Sequence, residues 1–347
     1  MSSPLIIKAG PTALASIKQH GLTADAVEVL VGASGGPKWF SLFGLDQYLC
    51  AEFFKDRQKP LQLLGSSAGA WRFACYGQQD PAAASRRFCD AYRTLCYPAK
   101  ANIREVSAIS ATVMDAVFPT DDHLRQVVEN PVFLLNFVVA RAKGINKLQN
   151  KALQIGALTL TAAANLVHRR TLGFFYQRYL FQHPLAAASF ADLKDLPTQR
   201  IPLSGDNLKN ALLATGAIPL VISPVTHIEK AGSGIFVDGG ILDYHFDWPF
   251  SHKGLVLYPH FYPHLSPGWF DKNLKWRRGN KQHFHNLVLM CPSDSWVKTL
   301  PYAKIPDRTD FNKLTDAARI AYWQEVTERS FELAEAFKNG NYSLEAI

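Results

Sequence analysis

The hydrophobic positions of the chain fall into short apolar or β-branched runs that alternate with longer stretches of helical spacing. The runs that predict strands are Val27–Gly32, Leu61–Leu64, Val225–Glu229, Ile235–Val237, Gly254–Tyr258 and Asn286–Met290. The stretches that predict helices are Trp39–Phe54, Pro81–Cys96, Arg104–Val117, Asp121–Asn130, Asn207–Ala214 and Thr315–Lys338. Strands that alternate with helices predict a layered α/β fold, with a largely parallel central sheet flanked by helices.

The length and apolar content are those of one large domain. The 347 residues are 48% hydrophobic, which is enough to bury a substantial core. We therefore expect a single domain over residues 1–347, with a helical insertion at about residues 100–190 that caps the body.

The stretch Asn130–Ala191 differs from the rest of the chain because it contains no Asp or Glu and seven Lys or Arg residues. An apolar stripe at helical spacing runs through it, made of Ile145, Leu148, Ala152, Ile155, Thr159, Ala162 and Leu166. A basic, amphipathic helix can lie on an anionic membrane surface. The same pattern also fits a cap helix packed on the body with its lysines in water, so both interpretations stay open.

The net charge indicates which partners the protein could bind, and the cysteines indicate the cellular compartment. The formal net charge is +8, which suits an acidic macromolecule or an anionic membrane. We expect no nucleic-acid partner, since no RNP, zinc-finger or helix-turn-helix pattern occurs. The five cysteines form no C-x-x-C pair and are odd in number, which favours reduced thiols in the cytoplasm. Neither a signal peptide nor an 18-residue apolar run is found, so we expect at most peripheral membrane contact.

The most informative motif is Gly65-Ser66-Ser67-Ala68-Gly69, a G-x-S-x-G sequence between an apolar run and a helix-compatible stretch. This context is typical of a nucleophile elbow, in which a sharp strand-to-helix turn exposes the serine. Gly65 and Gly69 would remove side chains that collide where the backbones approach. Ser67 would stand at the tip, facing the positive end of the helix dipole.

Two further glycine-rich segments add to this motif. Gly32–Trp39 follows the first predicted central strand, but it lacks the Gly-Lys-Ser/Thr of a phosphate-binding loop, so we reject nucleotide binding. Asp238-Gly239-Gly240 follows a predicted hairpin. A serine needs a base within hydrogen-bond reach, and glycines beside Asp238 would let its loop approach Ser67 closely.

These segments together resemble the patatin-like phospholipase family. The family has a glycine-rich loop after the first strand, a G-x-S-x-G elbow and a late Asp-Gly-Gly in the same order, and Ala211–Val225 is similar to its segment before Asp-Gly-Gly. The resemblance spans about residues 27–249. It implies a patatin-like fold and a serine lipid acyl hydrolase, of phospholipase A or lysophospholipase type, that needs no cofactor and takes a lipid ester as substrate.

By position, the resemblance implies that Ser67 is the nucleophile and Asp238 its partner in a Ser-Asp dyad. It also implies that Gly35 and Gly36 donate the N–H groups of an oxyanion hole. Lys38 would occupy the family's basic position. Three features depart from the family pattern: Ser34 stands where a first glycine is usual, Trp39 follows the basic position, and residues 241–249 read ILDYHFDWP instead of an Asn-containing segment.

Two alternatives remain beside the dyad. A Ser-His-Asp α/β-hydrolase would take its base from His245, His252 or His260, although Ser67 follows fewer strands than that fold usually places before its elbow. A membrane-surface binding protein could keep the fold with weak or no catalysis, and Ser34 and Trp39 favour it. Histidine pairs such as His283 and His285 lack an evident third ligand, so we predict no metal site.

Overall fold

A computed structural model describes residues 3–186, 190 and 193–347 of the chain, and its centre is one mixed sheet. The strands are β1 (Leu5–Ala9), β2 (Val27–Gly32), β3 (Leu61–Ser66), β4 (Phe133–Ala142), β5 (Tyr176–Gln182), β6 (Thr198–Pro202), β7 (Val225–Ile228), β8 (Gly232–Asp238), β9 (Leu255–Pro259), β10 (Leu287–Pro292) and β11 (Tyr342–Ala346). Their spatial order is β11-β1-β10-β9-β2-β3-β4-β5-β6, with the β7–β8 hairpin against β4.

The middle of the sheet is parallel. β10, β9, β2, β3 and β4 run in the same direction, whereas β1 is antiparallel to β10 and β5 is antiparallel to β4. These parallel strands are covered on both faces, so their side chains are buried almost without interruption. The sequence-based prediction of a layered α/β fold on a largely parallel sheet is confirmed.

Helices flank the sheet and connect its strands. They are α1 (Pro11–His20), α2 (Phe43–Tyr48), α3 (Ala68–Tyr76), α4 (Pro81–Arg93), α5 (Ile103–Val117), α6 (Asp121–Glu129), α7 (Lys151–Val167), α8 (Leu172–Phe175), α9 (Gly205–Thr215), α10 (Asp294–Thr299), α11 (Asp310–Lys313), α12 (Asp316–Arg329) and α13 (Phe331–Lys338). The helix predicted over residues 39–54 is instead a 3₁₀ turn at Gly36–Leu42, then α2, then a π turn at Leu49–Phe53.

The stretch expected to form a helical cap is only partly helical. α5, α6 and α7 lie within residues 100–190, but β4 and β5 are also there, and β4 pairs with β3 inside the sheet. Ile145 and Leu148 precede α7, so the apolar stripe is not one continuous helix. Residues 187–189 and 191 of the acid-free stretch lie outside the described residues.

The strand β4 pairs first with β3 and then with β8, and this change of partner positions the candidate functional residues. β3 pairs with β4 as far as Ser66, which lies opposite Val138. At the next residue, Val139, β8 takes the place of β3 and brings Asp238 opposite it. The end of β3 and the end of β8 therefore meet at adjacent residues of one strand, although Ser67 and Asp238 are 171 positions apart in sequence.

Candidate active site

The turn between β3 and α3 holds Ser67 in an unusual backbone conformation. Its φ of 51° and ψ of −128° are rare for a residue with a side chain. Such strain persists only where the surroundings enforce it, and it is concentrated at functional sites. Ala68 begins α3 immediately afterwards, as the predicted strand–turn–helix pattern requires.

Backbone crowding around this turn explains its glycines. A Cβ on Gly69 would lie 2.1 Å from the carbonyl oxygen of Gly32, and one on Gly65 would lie 2.5 Å from the nitrogen of Ala70. Gly239 is confined in the same way, because its Cβ would lie 2.0 Å from the oxygen of Val138. A side chain at Gly65 or Gly69 would push α3 away from β3 or β2, and one at Gly239 would push the end of β8 away from β4.

The hydroxyl of Ser67 donates a hydrogen bond to Asp238, with 2.8 Å between Oγ and Oδ2. The other carboxylate oxygen, Oδ1, accepts the backbone N–H of Gly240 at 2.7 Å. Both Ser67 and Asp238 are 7% exposed. The structure thus brings together the two residues that the sequence nominated for the dyad, in the geometry that a serine and its base need.

Burial dominates the electrostatics of Asp238. It raises the pKa of this carboxyl from 3.8 to about 6, because a charged form is poorly solvated in the interior. The hydrogen bonds from Ser67 and Gly240 and the positive charges of Arg308 and Lys272 oppose this effect without cancelling it. At neutral pH the carboxyl is mostly ionised, yet its proton affinity is higher than that of an ordinary aspartate.

Thr215, at the end of α9, holds the turn at Ser67 through its hydroxyl. Its hydroxyl accepts the N–H of Ser67 at 2.9 Å and donates to the carbonyl of Val138 at 2.6 Å. The pairing of β3 with β4 ends at Val138, so the Thr215 hydroxyl is the donor to the Val138 carbonyl oxygen. Asp238 is anchored close by, since its N–H donates to the carbonyl of Ala217.

The glycine-rich loop lies beside the elbow. Gly36 lines the same cavity as Ser67 and begins the 3₁₀ turn Gly36–Leu42 with a φ of 54°. N–H groups at the start of a helical segment have no partner within it, so they are available to a developing negative charge. Gly35 is fitted closely against Phe261, because a Cβ there would lie 2.6 Å from its ring.

Ser34, where the family usually has glycine, connects this loop to the elbow and to the Asp238 loop. Its Oγ lies 2.6 Å from Oγ of Ser66, and the Ser66 hydroxyl donates to the carbonyl of Asp243 at 2.6 Å. The N–H of Ser34 also donates to the carbonyl of Tyr244. All three loops of the site are therefore tied through buried hydroxyls.

A buried ion pair fixes the segment that follows Asp238. Arg178 on β5 binds Asp243 through Nε and Nη2 at 2.7 and 2.8 Å, and both side chains are fully buried. The remaining face of the guanidinium binds Asp195. Trp248 donates its indole N–H to Asp243 as well.

Lys38, the residue at the family's basic position, forms an ion pair with Asp307. Only 7% of the residue is exposed, and burial lowers the pKa of its ammonium to about 8. Lys38 therefore links the glycine-rich loop to the segment that carries Arg308, which lines the cavity at Ser67.

A cavity of about 820 Å³ opens from Ser67 and Gly36. Its walls come mainly from α3, α4, α5 and residues 213–225, and they are largely apolar, with Trp71, Phe88, Leu95, Val113 and Ile218 among them. Aromatic stacking gives the near wall a fixed shape, since Trp71 and Phe88 stack at 5.7 Å between ring centroids. Ser67 therefore faces a largely apolar cavity.

Two of the three histidines that the triad alternative offers as a base, His245 and His260, use one ring nitrogen for a backbone hydrogen bond and have lowered pKa values. Nδ1 of His245 accepts the N–H of Ser266, and Nδ1 of His260 accepts the N–H of Tyr262. Burial lowers the pKa of His260 to about 3 and that of His245 well below its usual value. Among the residues that the structure describes, no group of three or more His, Cys, Asp or Glu side chains is arranged to hold a metal ion.

Several residues of the site were not identified from the sequence. Thr215 lies in the family-like segment 211–225, but a hydroxyl role could not be inferred from its position. Ser66 and Asp243 flank the two motifs without belonging to them. Arg178 was counted among the basic residues of the acid-free stretch, and only the pairing of β5 with β4 explains why it is buried.

Comparisons with known proteins add little. No family model matches the chain, and no curated protein matches it in sequence. A solved structure to which the chain is similar is VipD from Legionella pneumophila, with 14% identity and a TM-score of 0.34 over 74% of this chain. The chain spans 53% of VipD. Within the described residues, no helix is long and apolar enough to cross a membrane.

Proposed function

We propose that the protein is a serine hydrolase that cleaves the carboxylic esters of lipids through an acyl-enzyme on Ser67, with Asp238 as its base. The observation that carries this proposal is the 2.8 Å hydrogen bond between a strained, buried serine that lines an apolar cavity and a carboxyl with raised pKa. The motif order supports a patatin-like phospholipase, and the proposal is independent of the weak structural likeness.

The reaction would proceed in two steps. Oγ of Ser67 attacks the ester carbonyl while Asp238 takes the hydroxyl proton, and the N–H groups of Gly35 and Gly36 stabilise the oxyanion. The C–O bond then breaks, and Asp238 returns the proton to the departing alcohol. In the second step water attacks the acyl-enzyme and gives a proton to Asp238. The bond from the acyl carbon to Oγ of Ser67 then breaks, Asp238 returns the proton to Oγ, and the fatty acid leaves.

The cavity favours a substrate with an acyl chain. Its apolar walls begin at the nucleophile, so the chain that becomes esterified to Ser67 would lie between α3, α4 and α5. Arg308 supplies a positive charge at the same cavity, which suits a phosphate group near the ester. We therefore expect phospholipids or lysophospholipids as substrates, and none of these steps calls for a cofactor.

We place this activity in the cytoplasm. The five cysteines, Cys50, Cys75, Cys89, Cys96 and Cys291, are all free, and four of them are buried. A reducing compartment suits such thiols.

Labelling with a fluorophosphonate probe tests the nucleophile directly, because the probe reacts only with an activated serine. We expect stoichiometric labelling of the parent and none of Ser67→Ala, with loss of p-nitrophenyl ester hydrolysis in the same variant. Ser343→Ala, on the edge strand β11, is a matched control and should label normally. A parent protein that is folded but unlabelled would make the site a non-catalytic one.

The base is tested by replacing each candidate in turn. Asp238→Asn should lose nearly as much activity as Ser67→Ala, because members of a catalytic unit do not contribute additively. His245→Gln, His252→Gln and His260→Gln should retain most activity, with circular dichroism to confirm folding. One folded histidine variant as inactive as Ser67→Ala would identify a triad enzyme. Analysis of products with added alcohols separates a hydrolase from an acyltransferase.

A further inference from the structure

Helix α7 differs from an ordinary surface helix because it buries two polar side chains and exposes several large apolar ones. Its buried side chains are Ala157, Leu158, Thr161 and Asn165, and the last two are hydrogen-bonded within the protein. The side that faces outward carries large apolar groups: Leu153 is 54% exposed, Leu160 52% and Leu166 54%. A helix normally buries its apolar face and exposes its polar one.

The outward side of α7 contains no charged residue between Ala152 and Val167. Further exposed apolar residues border it, namely Ile145, Leu148, Ile155, Val167, Phe174 and Trp276. Trp276 belongs to this surface because its neighbour Arg277 donates hydrogen bonds to the carbonyls of Asn165 and Leu166 on α7. A contiguous apolar patch of this kind marks an interaction site.

The rim of the patch is positively charged. Lys147, Lys151, Arg170 and Lys275 are exposed around it. No Asp or Glu occurs between residues 130 and 186 or between residues 272 and 282. Lys143, in contrast, is used internally, since its ammonium donates to the carbonyl of Gly173. An apolar centre with an exposed tryptophan and a cationic rim is complementary to an anionic bilayer.

We propose that the outward face of α7, with Phe174 and Trp276, docks on the surface of an anionic lipid bilayer. The leucines enter the boundary between headgroups and acyl chains, and the lysines contact anionic headgroups. A second copy of the chain is a poorer occupant, because two cationic rims would be brought together. Docking is inferred from the exposed apolar and basic residues alone. If the protein is the lipid hydrolase proposed above, docking brings it to the membrane that contains its substrate.

The docking face is connected to the candidate active site. Arg169, just after α7, donates to the carbonyl of Leu242 in the loop that follows Asp238. Asn165 on α7 binds Asp271, and the next residue, Lys272, lies close enough for its charge to lower the pKa of Asp238. The docking face is therefore connected by hydrogen bonds to the segments that follow Asp238 in the chain.

Binding is measured by co-sedimentation with vesicles, with Ser67→Ala as the parent so that hydrolysis cannot alter them. We expect binding to vesicles of phosphatidylcholine with 30% phosphatidylglycerol, and at least about tenfold weaker binding to pure phosphatidylcholine or in 0.5 M salt. Leu153→Gln, Leu160→Gln and Leu166→Gln combined should weaken the partition coefficient at least about tenfold. Lys147→Glu with Lys151→Glu should also weaken it.

Matched controls are Leu185→Gln, an exposed leucine beyond the far end of β5, and Lys59→Glu, an exposed lysine that precedes β3. Both should bind as the parent does. In the Ser67-intact background, every surface variant should hydrolyse p-nitrophenyl butyrate normally, so loss of docking and loss of catalysis are distinguishable.

Three outcomes would overturn the proposal. The parent could fail to bind anionic vesicles, or the triple leucine variant could bind them as well as the parent. Thirdly, sedimentation could show a dimer that the triple variant dissociates. The small residues Ala152, Gly156 and Ala163 in the middle of the exposed face could pack against another helix, so the dimer measurement is made on the same samples.

Discussion

Replacing Asp238 by Asn should make the protein more stable at neutral pH while abolishing its activity. Asn has the same shape as Asp and can keep both contacts, accepting from the N–H of Gly240 and donating to Oγ of Ser67. It carries no charge, so it avoids the cost of placing a carboxylate in a site that is 7% exposed. A catalytic carboxylate in such a site lowers the stability of the folded protein.

The magnitude follows from the pKa of Asp238. The folded-state pKa of about 6 lies above the ordinary value of 3.8, so the folded protein binds the proton more tightly than the unfolded chain does. Its contribution to stability is fully present below pH 3.8 and is lost as the pH rises through 6. The shift of about 2 pH units means that ionising Asp238 lowers the free energy of unfolding by about 3 kcal/mol at pH 8. At pH 4.5 the loss is about 1 kcal/mol.

Urea denaturation of the parent and Asp238→Asn at pH 4.5 and pH 8 measures this difference. The variant should have the larger free energy of unfolding at both pH values. Its advantage over the parent should be about 2 kcal/mol greater at pH 8 than at pH 4.5. For a chain of this size, the gain at pH 8 corresponds to a rise in melting temperature of about 4 °C. A variant that is less stable than the parent at pH 8, or whose advantage does not change with pH, would refute the proposed cost of ionising Asp238.

Three further predictions concern activity and folding. The kcat/KM for a soluble ester should be level above about pH 7, half-maximal near pH 6, and fall about tenfold per pH unit well below that, because Asp238 must be ionised to act as a base. Ala111→Phe, on the α5 wall of the cavity, should lower kcat/KM for long acyl esters at least about tenfold relative to butyrate, measured on a chain-length series. Asp243→Asn should destabilise the protein by about 3–5 kcal/mol in urea, because the variant leaves the buried Arg178 guanidinium with only the partly exposed Asp195 as a charged partner.

The sequence predicted the elements that follow a simple period. β2 was placed at its observed bounds, and β3, α4 and α5 within a few residues of theirs, because each has a continuous apolar run or a regular helical stripe. The local pattern did not predict β5, whose buried Arg178 is neutralised by Asp243 and Asp195. No period within β5 indicates a partner that lies 65 positions later in the chain.

The sequence indicated some residues of the candidate site, but neither supporting residues such as Thr215 and Asp243 nor the arrangement of the whole. Ser67 and Asp238 were nominated from motifs, and their contact depends on β8 replacing β3 beside β4, which only the pairing of distant strands determines. Ser34 was noted as a departure from a glycine pattern. Its hydrogen bond to Ser66 shows that the hydroxyl there connects two loops, which a comparison of residue types could not reveal.

The meeting of β3 and β8 on one strand also sets the order in which the protein becomes competent during synthesis. The elbow and its partner strands β2, β3 and β4 are complete within the first 142 residues, but Asp238 follows Ser67 by 171 positions. At common rates of translation, that interval lasts about 10–30 s. A nascent chain would therefore expose a serine without its base, and the ability to cleave an ester would appear only when the β7–β8 hairpin closes onto Val139.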